Sequence, residues 1–169
     1  MYVIREIKGK IYRNLIEYSS TQCDAVMFIV RKDLYLKNLK EFRKFSNLMD
    51  NFNNNLKGSL LKKRKGAYWV YSKVCANNDL FDVYFYKFDS SIKTLLLQND
   101  SFYQWLHPLY PEDIAFFKNG YCWFYSVAHE EICEIYYESE TQYKELLKMG
   151  VVFDEKYILP HNQRYYEEY

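Results

Sequence analysis

Apolar positions recur along the chain at two periods, and the alternation between them lays out the elements. Ile11, Leu15 and Ile16 share one helical face, which predicts a helix over 8–20. The run Ala25 to Arg31 is apolar at nearly every position and predicts a strand buried on both faces. Tyr35, Leu39, Phe42, Phe45, Met49 and Phe52 then recur at spacings of three and four, with Lys37, Lys40, Arg43 and Lys44 opposite, predicting an amphipathic helix over 33–53. Segments 67–74 and 81–88 read as strands of one hairpin turned at Asn77-Asn78-Asp79. A helix over 90–105 follows, with Ile92, Leu95, Leu96, Phe102 and Trp105 inward. Strands are expected at 114–117, 121–128 and 132–137, the first two joined by the Asn119-Gly120 turn. A last helix over 140–149 opens on Ser139 and Gln142 and stops at Gly150. The order predicts an α+β fold, a largely antiparallel sheet of five to six strands with helices packed on one face. Residues 1–154 form the single domain expected, and 155–169 a polar, Tyr-rich tail.

Composition narrows the function classes. With 169 residues, 49% of them apolar, the chain can bury a core without disulfides or a structural metal, and no metal is expected to be required for folding. A net charge of +1 gives no global electrostatic case for nucleic acid or an anionic membrane. No apolar stretch reaches membrane-span length, and the first residues do not read as a secretory signal. Cys23, Cys75, Cys122 and Cys133 show no C-x-x-C spacing, so a cytoplasmic protein with reduced thiols is expected. Lysine exceeds arginine 17 to 6, a usage that suggests an AT-rich coding genome.

Chemistry concentrates between Trp105 and Glu131. Pro108 and Pro111 fix an extended connection leading to Glu112 and Asp113. A hairpin turned at Asn119-Gly120 brings those carboxylates beside Ala128 and His129, and Asp113 and His129 are expected within hydrogen-bond reach, directly or through one water. A His oriented by a carboxylate is a usable general base. It joins a metal site only if a third ligand arrives. The plainer alternative has Asp113 accepting backbone hydrogen bonds and His129 fixed at a strand end. Glu130 completes the catalytic candidates. There is no H-E-x-x-H, no Gly-rich phosphate loop and no G-x-S-x-G elbow, so no metal or cofactor is assigned.

The pattern W-x-x-P-x-x-P-E-D, then N-G-x-x-W and H-E, is carried by Trp105, Pro108, Pro111, Glu112, Asp113, Asn119, Gly120, Trp123, His129 and Glu130. It resembles a family of small uncharacterised proteins of low-GC bacteria and their phages, a resemblance that implies no mechanism. Thirty-four aromatic residues favour binding over turnover. The leading expectation is therefore a non-enzymatic protein-binding module of the inhibitor, immunity or anti-defence type. Its contacts would be accessible aromatics: Tyr84, Tyr86, Trp123, Tyr125, Trp69 and Tyr71. One alternative is a small hydrolase or nuclease using His129 with Asp113, Glu112 or Glu130. Another is nucleic-acid binding through Lys62, Lys63, Arg64 and Lys65 beside the aromatics that follow them.

Overall fold

Ala25–Arg31 offers apolar side chains in both directions, so it is stable only where both faces of a sheet are covered, and it takes the sheet's interior. The computed structural model describes residues 1–3, 5–35, 39–70, 72–75, 77–154 and 164–169. Its strands are β1 (Ala25–Arg31), β2 (Leu60–Lys65), β3 (Tyr68–Trp69), β4 (Ser72–Lys73), β5 (Phe81–Lys87), β6 (Glu112–Lys118), β7 (Tyr121–Val127) and β8 (Ile132–Ile135). Six of them form one antiparallel sheet in the order β2-β5-β1-β6-β7-β8. The fold is α+β, as expected.

Helices α1 (Lys10–Gln22), α2 (Leu39–Asn55), α3 (Ser90–Leu96) and α4 (Glu140–Met149) cover one face. Tyr12, Leu15, Ile16, Phe45, Met49, Ile92, Leu96 and Leu146 from these helices join Val26, Phe28, Phe116 and Phe124 from the strands in one buried cluster. Local signals set the helix ends. Asp89 caps α3 by accepting from the Ser91 and Ile92 amides. Ser139 accepts from the Gln142 amide at the start of α4, and Gly150 closes it at φ 97°. Two expected helices are shorter: 33–53 becomes a 3-10 turn at Asp33–Tyr35 followed by α2, and 90–105 stops as α3 at Leu96.

The expected hairpin of 67–74 with 81–88 does not form. β5 pairs instead with the basic segment β2, from Leu60↔Tyr86 to Lys65↔Asp82. A lysine-rich strand suits a sheet edge, where its charges reach water and discourage pairing with another chain. Residues 67–70 and 72–74 fold back with the small β3-β4 pair across the sheet's second face. There Ala67, Trp69 and Val70 bury Met27, Ile29, Phe81, Val83, Phe85, Ala115 and Phe117.

Tyr165 and Tyr169 of the tail complete this cover. The Cys122 amide donates to Tyr165 O at 2.8 Å and the Glu167 amide to Gly120 O at 2.9 Å. Gly120 serves twice: its φ of 81° completes the turn, and a Cβ there would lie 2.4 Å from the Tyr166 ring.

The expected aromatic surface is therefore absent among the described residues named for it. Tyr84, Tyr86 and Trp123 point into the helix-side core, while Trp69 and Tyr125 lie under the second cover. All five are buried, because two apolar sheet faces receive two covers. Tyr71 lies outside the described residues. The basic run is charge-paired. Arg64 grips Glu167 through two 2.9 Å hydrogen bonds, and Lys62 meets Glu167 at 3.0 Å. Lys63 meets Asp82 at 3.1 Å, and Lys65 meets Asp79 at 2.9 Å.

Tyr86→Ala should cost about 3–5 kcal/mol in denaturant unfolding, since it empties a core site and strips the 2.6 Å hydrogen bond donated to Asn53; a loss below about 1 kcal/mol would contradict this packing. The tail should respond to acid. Burial pushes the Glu167 carboxyl up, but hydrogen bonds from Arg64, Tyr165 and Lys62 together hold it below its ordinary value of 4.5. Its contribution is thus complete above pH 4.5 and fades as pH falls through the lowered value. Amide exchange at Glu167 should accelerate across that window in the native chain, and Glu167→Gln should flatten the response.

Candidate functional site

A regular strand sends Glu112 and Asp113 to opposite faces. β6 breaks this alternation. Met27 opposes Ala115 and Ile29 opposes Glu112, so Asp113 and Ile114 together face the single residue Phe28. The result is a β-bulge with Asp113 in the left-handed region at φ 52°. Glu112 now sits opposite Ile29 on the second face, and Asp113 lines a cavity on the same side. Beyond β7, a short 3-10 turn at Ala128–Glu130 carries His129 to these acids.

His129 Nδ1 lies 3.8 Å from Glu112 Oε2 and 3.9 Å from Asp113 Oδ1. The three atoms fall within 4.8 Å of one another. The expected neighbourhood of Asp113 and His129 is thus present at the distance of one bridging water or ion rather than of a direct hydrogen bond. Glu112 supplies the third potential ligand. Glu130 stands outside the triad, its Oε1 3.8 Å from His129 Nε2.

Each acid is held by one oxygen only. Trp69 Nε1 donates to Asp113 Oδ2 at 2.8 Å. The His107 amide donates to Glu112 Oε1 at 3.4 Å, and His107 Nδ1 lies 3.2 Å from the same oxygen. Glu112 Oε2 and Asp113 Oδ1 are buried without a hydrogen-bond partner among the described residues. The two acid side chains are 5% and 3% exposed, whereas His129 is 42% exposed, so the cluster opens to solvent through the imidazole.

Burial, then the neighbouring Asp113 charge, raises the Glu112 pKa against the pull of Arg31. Burial also raises that of Asp113, opposed by the Trp69 hydrogen bond, by the charges of His129 and Arg31, and by the Ala128 amide. Burial and the Arg31 charge depress His107 to about 4, so it is neutral near pH 7. Its Nε2 accepts from the Arg31 amide at 3.1 Å, which leaves the ring proton on Nδ1, facing Glu112. Arg31 itself is turned toward Asp33, 2.9 Å away, with Nη1 3.8 Å from Glu112 Oε2.

The cavity holds about 370 Å³ and is lined by Arg31, Trp69, Lys73, Asp113, His129 and Glu130, with Tyr2, Tyr125 and Val127 among its less polar walls. Of the residues expected to act as aromatic contacts, Trp69 and Tyr125 thus reappear as parts of this pocket. Sequence reasoning missed Arg31 and His107. The position of His107 between Trp105 and Pro108 in the proline-rich connection was the available signal; Arg31 gave none, since its approach depends on strand pairing.

Compared with known proteins, the chain matches no family model, no curated protein and no solved structure. Among the described residues, no helix is long and apolar enough to cross a membrane.

Asp113→Asn should raise stability in metal-free buffer by about 1–2 kcal/mol. It removes a buried charge beside Glu112, keeps an acceptor for Trp69, and places in the left-handed region a residue that tolerates it. A lower unfolding midpoint in urea would contradict the burial of two facing acids as the dominant cost here.

Proposed function

We propose that the protein is a small hydrolase whose reaction runs in the cavity around Glu112, Asp113 and His129. The observation that carries this reading is the bulge at Asp113, which turns two consecutive buried acids to one side and leaves an oxygen of each unpartnered beside an imidazole. Such an arrangement costs desolvation, like-charge repulsion and backbone strain, and sites that tolerate all three are typically functional. The unpartnered oxygens supply two acceptors for one water beside His129. Activating that water against a bound ester is the chemistry the cluster supports.

The lining is of mixed charge and offers cationic contacts for a phosphoryl group beside the acids Asp113 and Glu130. Arg31 and Lys73 bring positive charge to the walls, and a cavity of about 370 Å³ admits a small molecule. Phosphate esters fit that charge and size. The W-x-x-P-x-x-P-E-D … H-E resemblance belongs to the same proposal, since its Glu112, Asp113 and His129 are the residues that meet here.

The inhibitor or immunity reading needs accessible aromatics, and Tyr84, Tyr86, Trp123, Tyr125 and Trp69 are buried. The nucleic-acid reading needs free basic side chains, and Lys62, Lys63, Arg64 and Lys65 are each ion-paired. Neither gains support comparable with the pocket.

The test is turnover of p-nitrophenyl phosphate and bis-p-nitrophenyl phosphate, with and without added divalent cations. The native chain should hydrolyse at least one, and Asp113→Asn should lower kcat by roughly 100-fold or more. Equal rates for the two proteins, or none above background, would overturn the reading.

A further inference from the structure

We propose that Glu112 Oε2, Asp113 Oδ1 and His129 Nδ1 bind one divalent first-row transition cation, of which Mn²⁺ is the simplest probe. The inference rests on reading this pocket as hydrolytic and specifies how its water is activated.

Three donor atoms converge. With separations of 3.8 and 3.9 Å and none above 4.8 Å, they share a centre within about 2.5 Å of each, so a closure of a few tenths of an ångström brings an ion to ordinary ligand distance. The cluster is more than a group of acids. Its two carboxylate oxygens are buried and unpartnered, and they face the imidazole nitrogen. Asp82 and Glu134 also each leave one buried oxygen without a hydrogen-bond partner, but only at Glu112 and Asp113 do two such oxygens face one imidazole nitrogen among the described residues.

The surroundings orient these donors as the outer shell of a metal site does. Trp69 holds Asp113 by Oδ2 and leaves Oδ1 inward. The His107 amide holds Glu112 by Oε1 and leaves Oε2 inward. Glu130 lies beside His129 Nε2, which favours the proton there and a lone pair on Nδ1.

The charge balance also suits a cation. Glu112, Asp113, Asp33 and Glu130 outnumber Arg31 and Lys73 around the cluster, and Arg31 is drawn aside by its hydrogen bonds to Asp33. One imidazole and two carboxylates are a borderline-to-hard donor set, suited to Mn²⁺ or Zn²⁺ above soft monovalent ions. The exposed imidazole side leaves coordination positions for water and for a substrate oxygen. A cation there would lower the pKa of its bound water, which would release a proton to solvent at the open imidazole side; the hydroxide would form a bond to the ester phosphorus as the P–O bond to the alkoxide or phenoxide breaks, and the leaving oxygen would take a proton from solvent.

The experiment is Mn²⁺ titration of chelator-treated full-length protein, followed by calorimetry and by loss of the free-ion EPR signal. One equivalent should bind, and the thermal midpoint should rise with Mn²⁺ concentration. Asp113→Asn and His129→Ala should each weaken binding roughly 100-fold or more, and Trp69→Phe, which touches no ligand atom, by about 10-fold. His129 is half exposed, so its variant tests the site even if the Asp113 variant misfolds. Absence of binding at millimolar Mn²⁺, or binding unaltered by these substitutions, overturns the metal site. If the chelated protein still hydrolyses ester and Asp113→Asn still abolishes this, the metal site falls while the hydrolase reading stands. If Mn²⁺ binds as described but no ester is turned over, the metal site stands and the hydrolase reading falls.

Discussion

A central strand that is apolar on both sides governs this structure. Val26 and Phe28 of β1 belong to one buried cluster, and Met27 and Ile29 to the other. Each buried side chain of that size contributes about 1.5–3 kcal/mol when covered, so neither face can be left to water. The four helices satisfy one face. The other is met by shorter pieces, the β3-β4 hairpin and the end of the tail, and this second cover shapes the candidate site. Of the aromatics expected to form a binding surface it buries Tyr125, and it supplies Trp69, the donor to Asp113.

The same cover makes the acid pair unusual. Glu112 and Asp113 open β6 beside β1, with Trp69 of the β3-β4 hairpin hydrogen-bonded to Asp113. Burying a carboxylate is costly unless its oxygens find partners. Here the pairing stops halfway, and the remaining oxygens face the half-exposed His129. Burial raises both carboxyl pKa values, while Arg31 and His129 pull toward the charged forms. The proposed cation resolves that opposition by placing positive charge where the unpartnered oxygens already point.

Ion pairing along β2 shows how charge can mislead when read as a run. Lys62, Lys63, Arg64 and Lys65 alternate along an edge strand: Lys62 and Arg64 turn toward Glu167, whereas Lys63 and Lys65 meet Asp82 and Asp79. Four adjacent charges thus divide between two sets of partners. Edge position explains both their basic character and their lack of a common basic surface.

Periodicity alone determined the elements whose signal is local. Ala25–Arg31 as a doubly apolar run, the Asn119-Gly120 turn, and α4 between Ser139 and Gly150 are all signalled by residues adjacent in sequence, although β1 is held by the distant β5 and β6, and the structure has them where the pattern put them. The approach of Asp113 to His129 was legible for the same reason, since one tight hairpin carries both. The choice of β2 over 67–74 as the neighbour of β5 was not legible, because either segment can form a strand and the decision rests on which one better covers the second face. Nor was the meeting of Glu112 with Asp113, because a one-residue bulge has no period. Arg31 meets His107 and Glu112 from 76 or more residues away in the chain, through pairing that only the folded sheet provides. Local chemistry was written in the chain, and the assembly of that chemistry into one buried, half-satisfied cluster was decided by tertiary packing.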